Sequence, residues 1–260
     1  MISAARASRE ASLWRALMPK SPAGRAFAAV FFIWWALLFL FNVFPQIDIY
    51  ASTHFFVRQT CQYKAAFNDS CGYFPYRDDT YLELLRTFCF RLPYAVAAVM
   101  LWRLAVYYSQ YGATFNMEHA RAYKVALGSL IIGPVILTNL ILKTYWGRPR
   151  PSQTLDFGGH LDFVPAGSMV GRCVSNCSFI SGEAAGAGWV FCLILLIPQP
   201  MRSALALPLA AISFLAPTMR VAFGAHYLSD VVLGWLSSVV VFTGLLALTD
   251  SQQGEKKTEI

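Results

Sequence analysis

Charge is what this chain has least of. Asp, Glu, Lys and Arg make up 13% of its 260 residues and hydrophobic side chains 57%, with a mean hydropathy of +0.48. Soluble domains carry about a quarter charged residues, so a water-soluble fold is excluded and no nucleic-acid partner is expected. Internal repeats, low-complexity blocks and polar stretches fit for a second domain are also missing. A cleavable leader is not expected either. The first apolar run, 27–44, exceeds the roughly 7–15 residues of a secretory signal and leads into Phe-Pro-Gln-Ile-Asp instead of a small-residue cleavage site. It is expected to remain as an anchor.

What is present is long apolar runs. About 20 such residues cross the hydrocarbon core as a helix, and runs at 27–44, 92–108, 125–142, 185–197, 204–217 and 231–248 predict six spans. The fourth and fifth are short and need their flanks. Pro93, Pro134 and Pro208 fall within or beside spans, where bundled membrane helices tolerate them. The fold class expected is all-α: one polytopic membrane domain over 1–260, with a basic cytoplasmic segment 1–25, a six-helix core 26–249 and a disordered cytoplasmic tail 250–260.

Arg6, Arg9, Arg15, Lys20 and Arg25 precede the first span against the single acid Glu10, which places the N-terminus in the cytoplasm. Within that segment 12–18 reads either as a short amphipathic helix on the inner leaflet or as a disordered basic tail. Alternation then sends the loops 46–90 and 143–182 and the turn 220–227 outward, to the periplasm of a bacterial inner membrane. The aromatic-rich loop 46–90 is expected to be ordered and able to cap a site. Cys61, Cys71, Cys173 and Cys177 lie in those outer loops, where an oxidising compartment lets them pair. Cys61 with Cys71 and Cys173 with Cys177 are favoured, with cross-pairing between the loops as the alternative. A zinc site built on the last two and His160 lacks a fourth ligand. Cys89 and Cys192 read as buried hydrophobes.

Ionisable residues at span ends are costly enough to need a reason, and three groups of them converge on one predicted membrane face. The first is Lys143-Thr-Tyr-Trp-Gly-Arg148-Pro-Arg150-Pro151, the second Phe179-Ile-Ser181-Gly182-Glu183 ahead of a small-residue helix, the third Arg220-Val-Ala-Phe-Gly-Ala-His226-Tyr-Leu-Ser-Asp230. Singly, such cations often just reach for headgroups. Together they describe a phosphate site: Arg150 and Arg220 supply fork-shaped donors, Lys143 a point charge, and Ser181-Gly182 a helix N-terminus. Arg148 is a candidate for an additional phosphate or headgroup contact. His226 and Asp230 are four apart, a helical spacing that lets the carboxylate hold one imidazole nitrogen and free the other to attack.

These residues resemble the type 2 phosphatidic acid phosphatase superfamily, whose pattern is Lys-x6-Arg-Pro, Pro-Ser-Gly-His, then Ser-Arg-x5-His-x3-Asp. Lys143 with Arg150-Pro151 matches the first motif, Ser181-Gly182 the middle of the second, and Arg220, His226 and Asp230 the third, all in register. The resemblance implies that Lys143, Arg150, Arg220 and the Ser181-Gly182 turn hold a phosphoryl group, His226 is the nucleophile, Asp230 orients it, and neither cofactor nor metal is required. Two positions depart. Met219 replaces the motif serine; Ile180 and Glu183 replace the proline and histidine of the second motif, and that histidine is the family's leaving-group acid. Glu183 is therefore read either as acid or substrate-orienting group, or as structural.

The outer-leaflet site suits a lipid phosphomonoester. Gly158-Gly159 and the run from Asn176 to Glu183 resemble lipid A 4′-phosphatases more than the general Pro-Ser-Gly-His enzymes, and 4′ is favoured over 1. Phosphatidylglycerophosphate, phosphatidic acid and undecaprenyl diphosphate are the alternative substrates. Vanadate haloperoxidases share the constellation but are soluble; a lipid-binding or transport protein with a vestigial site is the non-enzyme alternative.

Overall fold

Ser21 opens the first helix by accepting from Gly24 N at 2.9 Å, with Pro22 in the first turn, where its missing N–H costs nothing. In the computed structural model, which describes residues 21–60, 70–112 and 117–258, that helix is α1 (Pro22–Val43). The short α2 (Gln46–Thr53) follows, then strands β1 (Val57–Gln59) and β2 (Cys71–Tyr73), antiparallel with Arg58 opposite Gly72, the one departure from all-α among the described residues. Next comes α3 (Thr80–Tyr111). The rod α4 is built from an α-helix Met117–Leu130, a π-helical stretch Ile131–Leu142 and a last α-turn Lys143–Tyr145. After a long irregular segment come α5 (Gly182–Leu193), α6 (Gln199–Ala222) and α7 (Leu228–Thr258).

Five helices are long and apolar enough to cross a membrane, at Pro22–Val43, Thr80–Tyr111, Ala120–Tyr145, Gln199–Ala222 and Leu228–Asp250, with the shorter apolar Gly182–Leu196 as a sixth. Each coincides with a predicted span. The lipid-facing character of α1 shows in Phe32 and Phe39, which are about 70% exposed (69% and 71%) although fully apolar. Buried in the middle, α7 packs along α1 and α5. Two glycines permit the closest approach: a Cβ at Gly188 would lie 2.2 Å from Trp235 O, and one at Gly234 2.6 Å from Ser181 O. Small residues let membrane helices meet backbone to backbone, and Ser238 Oγ adds a donor to Ala185 O at 2.6 Å.

Two expectations are corrected. The third helix starts at Thr80, twelve residues before the predicted span, because Asp79 caps it by accepting from Leu82 N at 2.9 Å and the mixed stretch that follows, with neither Gly nor Pro before Pro93, has no helix breaker. The tail is helical beyond Asp250: α7 continues to Thr258, where Gln252, Gln253, Glu255, Lys256 and Lys257 favour the helix on either side of Gly254. The 12–18 segment and Cys61 lie outside the described residues.

Outside the bundle, Phe56, Phe74, Phe157 and Tyr227 form one aromatic cluster, joining the 46–90 loop to the turn between α6 and α7. Gly224 in that turn has φ +61°, and a Cβ there would meet the Phe74 ring at 2.4 Å. The loop therefore sits against the turn that carries His226.

Candidate active site

The site is assembled where α4, α5, α6 and α7 end on one face. A cavity of about 370 Å³ is lined there by Lys143, Arg150, Arg220, Gly182, Glu183 and His226, joined by Arg86, Phe90 and Tyr94 of α3 and by Asn139 and Asn176. Members of all three sequence groups thus meet at one cavity, Lys143 and Arg150 from the first, Gly182 and Glu183 from the second, Arg220 and His226 from the third. A wider polar cavity of about 700 Å³ adjoins it, sharing Arg86, Arg150, Asn176 and Arg220 and adding Arg77, Ser152 and Gln153.

His226 is 1% exposed and sits in the turn before α7, not on the helix. Its Nδ1 lies 2.9 Å from the carbonyl oxygen of Ser178, which can only accept, so Nδ1 carries the proton and Nε2 keeps a lone pair. Asp230 Oδ2 is 3.9 Å from Nδ1, too far for a hydrogen bond but near enough to act by charge. The helical spacing did not produce the direct carboxylate–imidazole bond that sequence suggested, because the helix begins two residues after His226. Burial, reinforced by the charges of Arg220 and Lys143 and opposed by Asp230, lowers the His226 pKa to about 4. The imidazole is neutral at physiological pH.

Asp230 is fully buried and saturated. Oδ2 accepts from Ser178 Oγ at 2.5 Å and Tyr227 N at 2.9 Å; Oδ1 accepts from Arg148 Nη1 at 2.5 Å. Arg148 is likewise fully buried, with Nε on Val164 O (2.8 Å), Nη1 also on Ser229 Oγ (2.8 Å) and Nη2 on Asp48 Oδ2 (2.8 Å), its guanidinium 4.5 Å from the Tyr227 ring centroid. Burial disfavours the charge, but Asp230 and Asp48 outweigh it and hold the Arg148 pKa above its ordinary value. Arg148 is therefore not among the residues lining the cavity, and its guanidinium is taken up by Asp230, Asp48, Ser229 and Val164. Asp48 was not singled out from sequence: from α2 it accepts from Ser229 N and Ser229 Oγ at 2.8 and 2.6 Å, capping α7 from another helix.

On the cavity side, Arg150 Nε donates to Asn176 O at 3.2 Å while its backbone N donates to Gln153 Oε1 at 2.9 Å. Burial lowers its pKa, and the like charges of Arg77 and Arg86 add to that against the pull of Glu183. Arg220 is 7% exposed, and its Nε is a buried donor with no hydrogen bond. Ser181 is not at the cavity wall. Its N–H donates to Asp230 O at 3.0 Å and its hydroxyl accepts from Ala184 N at 3.3 Å, so it caps α5 and leaves the half-buried Gly182 as the end of the helix dipole at the cavity. A Cβ at Gly182 would lie 2.5 Å from Asn139 Oδ1, so a larger residue there would have to displace the Asn139 side chain. Glu183 faces Arg86 and Arg220. Cys173 and Cys177 are bonded to each other one residue before Ser178, whereas the pairing expected for Cys71 involves Cys61, outside the described residues.

A membrane-embedded bundle presenting a neutral, oriented imidazole to a cluster of cations is a phosphoryl-transfer architecture. The profile of the PAP2 superfamily matches residues 122–253, and the chain belongs to that superfamily. It is 63% identical over 231 residues to the lipid A 4′-phosphatase of Rhizobium leguminosarum, covering 89% of this chain and 99% of that one. With the lipid A 4′-phosphatase of Rhizobium etli (strain CFN 42) the identity is 62% over 242 residues, 93% and 94% of the two chains. The fold is similar to the transmembrane PAP2-type phosphatidylglycerolphosphate phosphatase of Bacillus subtilis, with a TM-score of 0.51 at 16% identity, covering 86% of this chain and 96% of that one.

Proposed function

We propose that this protein removes the 4′-phosphate of lipid A by way of a phosphohistidine on His226, at the periplasmic face of a bacterial inner membrane, with 1–25 and 250–260 cytoplasmic. The observation that carries the chemistry is the 2.9 Å contact from Nδ1 to Ser178 O, which leaves Nε2 as the nucleophilic nitrogen beside Lys143, Arg150 and Arg220. The substrate assignment is supported by the identity to lipid A 4′-phosphatases over nearly the whole chain.

In the first step Nε2 forms a bond to phosphorus, the bond from phosphorus to the sugar oxygen breaks, and the oxygen leaves. The three cations offset the phosphoryl charge as metal ions do in other phosphatases. With Nδ1 still protonated, the phosphorylated ring carries a positive charge. Behind it, Arg148 holds two carboxylates, Asp48 and Asp230, and so leaves one negative charge to meet that ring. Asp230 is in this reading a charge partner for the intermediate. Hydrolysis of the N–P bond then releases inorganic phosphate and restores the neutral imidazole.

The experiment is mass spectrometry of products from purified full-length protein given lipid A phosphorylated at both ends, with phosphatidic acid and phosphatidylglycerophosphate alongside. Loss of the 4′ phosphate with the other retained is expected. Preference for either glycerol phosphate would overturn the substrate assignment.

A further inference from the structure

The phosphate-facing cavity holds a fourth cation that none of the three motifs contains. Arg86 belongs to the early turns of α3 that sequence assigned to a loop. Its Nε lies 3.3 and 3.2 Å from the two oxygens of Glu183, and its Nη2 lies 3.0 Å from Oε1. Nη1 is held by Glu83, one turn earlier on the same helix. Glu183 Oε1 also stands 3.5 Å from Arg220 Nε, the buried donor without a hydrogen bond. Arg86, Glu183 and Arg220 line the cavity that contains His226.

A carboxylate and a phosphoryl group offer a guanidinium the same pair of acceptor oxygens. Glu183 therefore holds, for two of the cations, positions that substrate oxygens would take. It is also the one acid among the residues lining this cavity, against Arg86, Lys143, Arg150 and Arg220. Four like charges around about 370 Å³ repel one another. An internal anion relieves that repulsion when the site is empty. A general acid, by contrast, needs a proton on an oxygen directed at the leaving group, and here both oxygens accept from Arg86.

Building on the phosphoryl-transfer reading of this site, we propose that Arg86 is a fourth phosphoryl-binding cation and that Glu183 is its resident counter-anion, exchanged for the substrate phosphate and not the acid of the leaving group. The departing sugar oxygen takes its proton from a cavity water while the arginine N–H groups meet its charge. The hydroxide so formed attacks phosphorus in the second step, as the N–P bond breaks, which balances atoms and protons over the cycle.

The test uses full-length protein in detergent, with inorganic phosphate and vanadate as competitive inhibitors and both the lipid and nitrophenyl phosphate as substrates. Glu183→Gln removes the competitor, so the inhibition constants should fall several-fold, and any change in turnover should be equal for the two substrates. Arg86→Ala should raise the inhibition constants about ten-fold or more, Arg86→Lys should recover part of that, and the double variant should lie closer to wild type than the single alanine. If Arg86→Ala fails to fold, Arg86→Lys and Glu183→Gln still carry the sign of the effect. The proposal is overturned if Glu183→Gln slows the lipid about 10²–10⁴-fold and spares nitrophenyl phosphate, which is the signature of a general acid. Unchanged inhibition in both Arg86 variants overturns it as well. A wild-type protein that releases no phosphate and binds neither anion instead removes the phosphoryl-transfer reading, and this inference with it.

Discussion

Arg148 and Arg150 stand two residues apart in one extended segment and end in opposite surroundings. Arg148 is fully buried, with every guanidinium nitrogen bonded, two carboxylates beside it and an aromatic ring below. Arg150 reaches into a cavity with other cations, its Nε on a single carbonyl. The difference separates two tasks that phosphate enzymes need from the same residue type. Saturated charge fixes geometry, because losing any partner strands a buried ion. Unsaturated charge binds, because its donors still await an anion.

The sharpest break in that comparison comes from the group lying between the two regions. His226→Ala should lower turnover about 10⁴-fold or more while thermal unfolding of the purified protein stays near wild type, since it removes neither the network behind nor the clamp in front. Substantial residual turnover would sink the phosphohistidine route. Arg148→Ala should act on the other quantity. It strands Asp48 and Asp230, and breaking a buried pair costs about 3–5 kcal/mol, so a clear drop in unfolding temperature is expected. An unfolding temperature equal to wild type would mean that the network is not what holds α2 against α7. Arg150→Ala should do the reverse, leaving unfolding almost unchanged and reducing kcat/KM by about 10²–10³-fold, the loss typical of one transition-state donor. If both arginine variants lose stability and activity in the same proportion, the division between them is wrong.

A smaller effect separates the regions by pH. Because the folded His226 pKa is lowered to about 4 from the ordinary 6.5, the unfolded chain binds this proton more readily. The linked stability is therefore complete above about pH 6.5 and lost as pH falls toward 4. The nucleophile itself should stay unprotonated down to about pH 4, so a resonance assigned to the His226 ring that titrates near 6.5 in the folded protein would contradict the buried, cation-flanked placement. The smallest effect expected is none at all: EDTA should leave turnover unchanged, since Lys143, Arg150 and Arg220 supply the positive charge. Loss of activity on chelation, restored by magnesium or zinc, would show that the cation cluster is insufficient.

Much of the cavity side was legible in the sequence, and little of the network behind it. Lys143, Arg150, Arg220 and His226 sit at fixed spacings within short segments, and membrane burial makes any charge there conspicuous. Asp48 bonds Ser229 across 181 residues of sequence, and no local pattern connects them. Ser178 and Ser229 are small polar residues with no periodic signal, although each touches the Asp230 network. Arg148 reads from sequence only as a candidate for an additional phosphate or headgroup contact, because no local pattern points to its partner Asp48 in α2. Arg86 is hidden for another reason: the opening of α3 interleaves Glu83, Arg86 and Arg91 with apolar residues, so no continuous apolar run marks helix across Thr80–Arg91 while the later part of the same helix is plain. The six spans themselves follow from apolar length, which the backbone's need for internal hydrogen bonds turns into helices.

The backbone contact between α5 and α7 also bears on how the protein is made. Gly188 and Gly234 allow Trp235 and Ser181 to lie against them, and α1 is tied to the same stretch through Trp34 Nε1, which donates to Leu233 O at 3.0 Å. Both helices therefore wait for a partner synthesised last. A nascent chain that has threaded its first five spans holds every phosphate-facing cation but has neither the histidine turn in place nor the surface that positions Ser178. Competence should arrive in one step, when the final span enters the bilayer and closes on helices already there, so that C-terminal truncations ending before Gly234 leave inserted but inert protein.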